Sequence, residues 1–355
     1  MTGGTGMVGS HAAAALARAG HRLRLLARTP ARVGPILTTL GVRDPEIVPG
    51  DITDRAAVAK ALEGCDAVLH AAALLTFDRR RVDDMLHSNI EGTRNVLEQA
   101  HERALDPIVM VSSTQALWMP GVGELTAALP VATPRDPYGR SKAAAERIAR
   151  DLQARGAPVV TLYPGAVWGP HNPTLGDQIT TIFAMVKSGY FLSVEGGIPI
   201  VDVRDVAQAI SRAMEPRRGP RRYMLAGHYR SHDELRELIS RLRGKRLLKA
   251  PVPSGLLRWV GRVCDVLREH FGFDPGAVSG EAMLIATSCL RGDSSHTLAE
   301  LGLALRPLEE TVEAQMLWMY RHDHLSAHHV GALAQPVSSA RSAAGSGGAA
   351  SSAES

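Results

Sequence analysis

Aromatic residues are scarce in this chain. Phe, Trp and Tyr together make up 4% of the 355 residues. So few rings argue against the stacked base platforms of single-strand nucleic-acid binders. Charge of one sign is lacking too. Forty Lys and Arg stand against 36 Asp and Glu, a formal net of +4. The Arg-rich spots, 79–81 and 217–222, are short and read as solvated faces rather than a nucleic-acid footprint. Only three cysteines occur, Cys65, Cys264 and Cys289, odd in number and far apart. That excludes a disulfide framework and the usual zinc spacings, and fits a reducing, cytoplasmic setting. No apolar run reaches the ~20 residues of a membrane span. No signal-peptide pattern precedes the first glycines.

The first two hundred residues alternate short β-branched runs with Ala-rich stretches. Helix 10–19 leads to strand 22–27, and helix 55–62 to strand 66–70. Helix 89–103 leads to strand 107–112, and helix 138–155 to strand 158–163. This alternation predicts an α/β fold, a parallel sheet with helices on both faces. Beyond residue 170 the pattern loosens to loop plus a helix at 176–188. A strand and helix return at 200–214, with Asp202 or Asp205 as the cap. Amphipathic helices follow at 232–243, 255–270 and 307–320. From 326 the chain is Ala, Ser and Gly without apolar period and reads as a disordered tail. His322, His324, His328 and His329 at its start read as solvated rather than metal-bound.

Two local motifs carry chemistry. Thr2-Gly3-Gly4-Thr5-Gly6-Met7-Val8-Gly9 is a glycine-rich turn opening an Ala-rich helix. Such a turn lets backbone approach a pyrophosphate at a helix N-terminus. The strand after that helix ends in Arg28, with Arg32 nearby. An acidic residue there would suit the ribose 2′-OH of NAD, whereas Arg suits a 2′-phosphate, so NADP is favoured over NAD. The strand that should precede the turn is missing, which predicts a natural chain that starts a few residues upstream. The second motif is Tyr138-Gly139-Arg140-Ser141-Lys142. Tyr and Lys four residues apart share one helix face. An ammonium there would bring down a phenol pKa that is ordinarily ~10, making an acid/base device.

The order TGGTGMVG (2–9), GDITD (50–54), DAVLHAAA (66–73), NIEGTRNVLEQA (89–100), VMVSSTQAL (109–117), YGRSK (138–142) and LYPGAVWGP (162–170) resembles the extended short-chain dehydrogenase/reductase family, the NAD-dependent epimerase/dehydratase superfamily. The resemblance covers about residues 1–215. It implies a Rossmann-like doubly wound parallel sheet with a smaller C-terminal substrate-binding part. The nucleotide-binding domain would span 1–170, with 196–215 returning to it. The substrate part would take 171–195 and 216–325.

Carried over by position, the resemblance places Gly3, Gly6, Met7, Val8 and Gly9 at the cofactor phosphates. Asp51 and Ile52 would border the adenine, and Ala71, Ala72 and Ala73 would lie along phosphates and ribose. Pro164, Gly165 and Val167 would cover the nicotinamide. Tyr138 would be the acid/base and Lys142 its ribose-holding neighbour. Thr114 would orient the substrate oxygen, with Ser113 as second choice. Asn89 starts a predicted helix and reads as a cap or a functional residue, at even weight.

Within the family, nucleotide-sugar dehydratases place an acidic pair after the Thr, and epimerases tend to carry Asn where Gly165 sits. Here Gln115-Ala116 and Gly165 resemble dihydroflavonol reductases and 3β-hydroxysteroid dehydrogenases more. An oxidoreductase acting on a sterol-, flavonol- or similar ketone-like small molecule is the leading reading. A nucleotide-sugar epimerase or dehydratase is the alternative, and a non-catalytic NADP-binding sensor ranks below both. Leu74, Leu75, Phe77, Trp118, Met119 and Trp168 would line an apolar pocket. Helix 255–270 has an apolar stripe with arginines; packing or lid formation is favoured over contact with a membrane surface. The resemblance suggests a homodimer through helices 89–103 and 138–155.

Overall fold

The computed structural model describes residues 1–76, 78–175, 177–271 and 278–334. Its N-terminal half builds helices and strands in alternation: α1 (Met7–Arg18), β1 (Arg24–Ala27), α2 (Val33–Thr38), β2 (Glu46–Pro49), α3 (Arg55–Leu62), β3 (Val68–His70), α4 (Val82–Glu102), β4 (Ile108–Val111), α5 (Pro137–Ala154) and β5 (Val159–Pro164). All pairs in this sheet are parallel, β2 to β1 on one side and β3 to β4 to β5 on the other. The two sides meet through Thr2, which bridges both Leu26 and His70. The Leu26 amide donates to the Met1 carbonyl at 3.0 Å, and the Thr2 amide to the Leu69 carbonyl at 2.9 Å. Met1 and Thr2 thus hold the central slot where the sequence shows no strand.

The elements form for local reasons. Asp54 accepts the Ala56 and Ala57 amides and starts α3. Asp136 accepts the Gly139 amide at 2.8 Å, and Pro137 occupies the first turn of α5. Side-chain acceptors at these positions satisfy amides that a helix start leaves unpaired. In α1, Ala12 to Leu16 are all buried, and the small side chains let the helix lie close to the sheet. Strand β5 is buried along its whole length, as a central parallel strand should be.

The second half runs β6 (Ala166–Trp168), α6 (Asp177–Ser188), β7 (Tyr190–Ser193), β8 (Gly197–Asp202), α7 (Val203–Ala213), β9 (Arg221–Leu225), β10 (His228–Ser231), α8 (His232–Arg243), β11 (Leu248–Pro251), α9 (Ser254–Phe271), α10 (Gly280–Ala286), α11 (Ser295–Leu301), α12 (Leu308–Arg321) and α13 (Ala327–Val330). A small sheet orders β10, β8 and β6, and β11 pairs with β7. Asp202 is the cap of α7, accepting the Arg204 amide at 2.7 Å, while Asp205 pairs with Arg306. A separate core gathers Trp168, Phe183, Phe191, Leu235, Val312 and Met316.

Two expectations need correction. Strand β9 extends the large sheet beside β5, so the sheet draws a strand from beyond residue 215. Its Arg221-Arg222 start hid it from a reading based on apolar runs. The segment from 326 is not a tail throughout: α13 and a 3-10 turn at Gly331–Ala334 continue the fold, with Val330 fully buried. His322, stacked on Trp318 with ring centroids 4.5 Å apart, and His328 remain exposed, as the solvated reading expects. Residues 335–355 lie outside the described residues.

Phe183 is enclosed in the second core, its ring 5.8 Å from that of Trp168. Replacement Phe183→Ala is expected to cost about 3–5 kcal/mol. Urea unfolding followed by near-UV circular dichroism measures it.

Candidate active site

Three consecutive residues at the end of β4 meet three residues at four-residue intervals on α5. Ser113 hydrogen-bonds the Tyr138 phenol. The Val111 carbonyl accepts from Lys142 Nζ at 3.3 Å. Ser112 Oγ donates to Glu146 Oε2 at 3.2 Å. Residues 138, 142 and 146 form one row on the helix because the i, i+4 spacing stacks side chains on one face. The Lys142 ammonium sits 5.9 Å from the centroid of the Tyr138 ring.

The electrostatics depart from expectation. Tyr138 keeps some exposure, yet burial of its hydroxyl end pushes the pKa up to about 12. The Ser113 bond works the other way, and the Asp136 charge adds to the rise. Lys142 does not bring the phenol down here. It is itself buried, and that burial lowers its pKa to about 8, partly offset by the Glu146 carboxylate. Desolvation outweighs the pair attraction because both groups are enclosed while Lys142 is turned to the Val111 carbonyl. Thr114, the first-choice substrate hydroxyl, opens a 3-10 turn next to the pair, but the hydroxyl bonded to Tyr138 is that of Ser113.

Asn89 is not a cap. Helix α4 begins at Val82, and Asn89 is buried seven residues inside it. Its amide grips the loop after β3, accepting from the Leu74 amide at 2.7 Å and donating to the Leu74 carbonyl at 2.9 Å. It also donates to Ser141 Oγ at 3.0 Å, and Ser141 donates to the Tyr138 carbonyl at 2.8 Å. His70, which the motif reading passed over, completes the chain. Its ring bonds Thr2 Oγ1 at 2.9 Å and Thr93 Oγ1 at 3.0 Å, and the Thr93 hydroxyl donates to the Asn89 carbonyl at 2.6 Å. Since the Thr93 proton is spent on that carbonyl, Nε2 of His70 carries the proton and Nδ1 accepts from Thr2. Burial holds His70 neutral, its pKa lowered to about 3. One buried polar chain thus joins the N-terminal turn, α4 and the start of α5.

At the other end, α1 opens with no side-chain cap and no acidic residue in its first turn. The turn before it is tight. Gly3 has φ of +74°, and a Cβ there would lie 2.5 Å from the Ala71 carbonyl carbon. A Cβ on Gly9 would lie 2.0 Å from the Gly3 carbonyl oxygen. Arg28 projects from the end of β1, largely exposed and 3.8 Å from Asp51, and Arg32 is exposed nearby. Asp51 accepts the Thr53 amide at 2.9 Å. Ile52 packs over Gly92 and its carbonyl accepts from Asn95. Ala71 and Ala72 follow β3, and the Ala72 amide reaches Thr2 Oγ1 at 3.3 Å; Ala73 is exposed. A small cavity is lined by His70, Ala72, Ala73, Asn89, Ser112 and Lys142. Pro164 ends β5, and Gly165 follows with no room for a side chain: its Cβ would meet the Ala226 carbonyl oxygen at 2.4 Å. Val167 stands half-buried on β6.

Among the described residues, the two tryptophans expected in the pocket wall are buried. Trp168 is fully buried against Phe183, and Trp118 is buried with Leu117, Tyr163 and Met224. Both are core residues. Phe77 lies outside the described residues. Leu75 remains exposed on the loop that Asn89 holds. Helix α10 approaches the start of α5: its Glu281 accepts the amides of Arg135, at 2.6 Å, and Asp136, just before Tyr138. Among the described residues no cluster of His, Cys, Asp and Glu could hold a metal. No described helix is long and apolar enough to cross a membrane.

A family model described as NAD dependent epimerase/dehydratase matches residues 1–226. Sterol demethylase protein B of Methylococcus capsulatus is 27% identical, over 85% of this chain and 92% of that protein. A putative dihydroflavonol 4-reductase of Synechocystis is 26% identical, over 92% and 95%. The crystal structure of gox2253 superposes with a TM-score of 0.79 at 28% identity, covering 92% of this chain and 98% of that one. A UDP-glucose-4-epimerase from Stenotrophomonas maltophila shares the fold, with a TM-score of 0.72 at 22% identity over 92% and 98% of the two chains.

The buried Lys142 has a measurable consequence. Its pKa is about 8 in the folded protein and ordinarily 10.5. Between those values the unfolded chain binds the proton that the folded one has released, so stability rises with pH. The urea midpoint is expected to climb from pH 8 to about pH 9.5, below the ~10 at which exposed tyrosines begin to ionise. In Lys142→Met the climb should shrink, and at pH 7 the variant should be the more stable protein.

Proposed function

The chain belongs to the NAD dependent epimerase/dehydratase family, and from that premise we propose that it interconverts an alcohol and a ketone on a largely apolar small molecule, with NADP as its preferred cofactor. The observation that carries this reading is the Tyr138 phenol, bonded to Ser113 beside the enclosed Lys142 ammonium. A nicotinamide cofactor supplies or accepts the hydride when bound. The uncapped start of α1 and its glycine turn fit the phosphates, through the backbone of Gly3, Gly6, Met7, Val8 and Gly9. Arg28 and Arg32 would hold the 2′-phosphate, Asp51 and Ile52 would border the adenine, and Ala71 to Ala73 would leave space along the ribose. Pro164, Gly165 and Val167 would cover the nicotinamide.

In this reading Tyr138 moves the proton and Ser113 or Thr114 orients the substrate oxygen. A phenol with a pKa near 12 keeps its proton at neutral pH. It is therefore loaded as an acid, which favours reduction of a carbonyl: Tyr138 gives its proton to the oxygen as negative charge builds there. Lys142 places a cation beside the phenol and would bind the ribose hydroxyls. The sugar-nucleotide alternative has less support. Gln115 and Ala116 follow Thr114, and the crowding at Gly165 leaves no space for the Asn expected in epimerases.

NADPH with ketone, steroid and UDP-sugar panels, followed at the reduced-nicotinamide absorbance, tests the reading. Turnover of apolar ketones is expected, falling by about 10²-fold or more in Tyr138→Phe. Turnover confined to sugar nucleotides would overturn the substrate class, and undiminished turnover in Tyr138→Phe the mechanism. Arg28→Ala should weaken NADPH binding by roughly tenfold, the worth of a charge-assisted contact, and leave NADH nearly unchanged. Fluorescence titration of the two cofactors compares them.

A further inference from the structure

The row on α5 has a third member. Glu146 stands one turn beyond Lys142 and is fully buried. Three side chains donate to its carboxylate: Tyr163 at 2.5 Å, Arg150 Nε at 2.9 Å and Ser112 at 3.2 Å. They come from three elements, β5, α5 and the end of β4. Burial pushes the Glu146 carboxyl up, and the Tyr163, Arg150 and Ser112 bonds with the Arg150 charge oppose that rise by favouring the carboxylate. Arg150 supplies the countercharge from the outer side, with its other arm on the Leu129 carbonyl at 2.9 Å. On the inner side the next cation along the helix is Lys142.

Lys142 needs such a neighbour. Among the described residues its one hydrogen bond runs to the Val111 carbonyl, and an enclosed ammonium tends to shed its proton. The other titratable groups that face it give no negative charge. From β3, His70 is neutral and would only repel if protonated. From α5, Tyr138 keeps its proton. From β5, Tyr163 spends its hydroxyl on Glu146 and is also held protonated. Asn89 and Thr93 of α4 carry no charge.

We propose that Glu146 is a positioning residue for the reaction: its buried carboxylate, fixed by Ser112, Tyr163 and Arg150, holds Lys142 as an ammonium on the Val111 carbonyl beside Tyr138. The same carboxylate, through Ser112, ties β4 to α5 between the two bonds that place Lys142 and Tyr138. This rests on the reading that Tyr138 and Lys142 carry the reaction, but its test needs no substrate. The titration of Lys142 is followed by its 13Cε resonance in 13C-lysine-labelled protein, assigned with Lys142→Arg, and by NADPH affinity against pH.

In Glu146→Gln the Lys142 midpoint is expected to fall by about one unit or more, as loss of a close opposite charge requires. The alkaline loss of NADPH affinity should move down with it, while affinity at low pH stays near that of the wild type. An unmoved midpoint in folded Glu146→Gln, or a loss of affinity equal at every pH, overturns the proposal and leaves Glu146 a structural residue. Should Glu146→Gln not fold, Arg150→Gln replaces it. The carboxylate then has Lys142 as its nearest cation, so the midpoint rises; an unchanged or lower midpoint contradicts the proposal. Undiminished turnover in Tyr138→Phe would overturn the functional reading alone, since the Lys142 titration stands apart from it.

Discussion

Everything at this site depends on how the end of β4 meets the inner face of α5. Val111, Ser112 and Ser113 each bind one residue of the row 142, 146 and 138. A strand end and a helix face are stiff, so side chains built on them hold their spacing better than loop residues do. The register of β4 against its neighbours, Val68 to Ile108 and Ile108 to Val159, therefore sets where the phenol stands. The buried chain from Thr2 through His70, Thr93 and Asn89 to Ser141 fixes the same helix from the other side. It links the Tyr138 end of α5 to the glycine turn without passing through solvent.

Burial gives the site its character. It raises the Tyr138 phenol, lowers the Lys142 ammonium and keeps His70 neutral. Each shift opposes the charged form, the direction that desolvation dictates. A charge that survives inside needs a partner: Lys142 has Glu146 in the row, and Glu146 has Arg150. The same low-dielectric setting strengthens any interaction made with charge that builds during a reaction.

Much of this was legible in the chain because the motifs are local. The glycine turn, the Tyr–Lys spacing and the cap Asp202 depend on neighbours within a few residues. What depends on distant neighbours was misread. Trp118 and Trp168 look like pocket walls by their positions after strands, but residues from β5, β9 and α6 bury them. Asn89 looked like a helix start because the residues before it, Val82 to Ser88, show no strong apolar face. The row did extend visibly, Tyr138, Lys142, Glu146, yet a Glu at helical spacing reads as a surface residue until burial is known. Only the folded protein shows that desolvation outweighs the lysine's pull on the phenol.

The claim that this site performs net carbonyl reduction with a proton from Tyr138 is tested most directly by label transfer. NADPH carrying deuterium at the reactive C4 position is supplied with an apolar ketone that the protein turns over. The account predicts stoichiometric oxidation of the cofactor, with deuterium on the carbinol carbon of the alcohol. Deuterium retained in the cofactor, while a sugar nucleotide changes configuration without net oxidation, would contradict it.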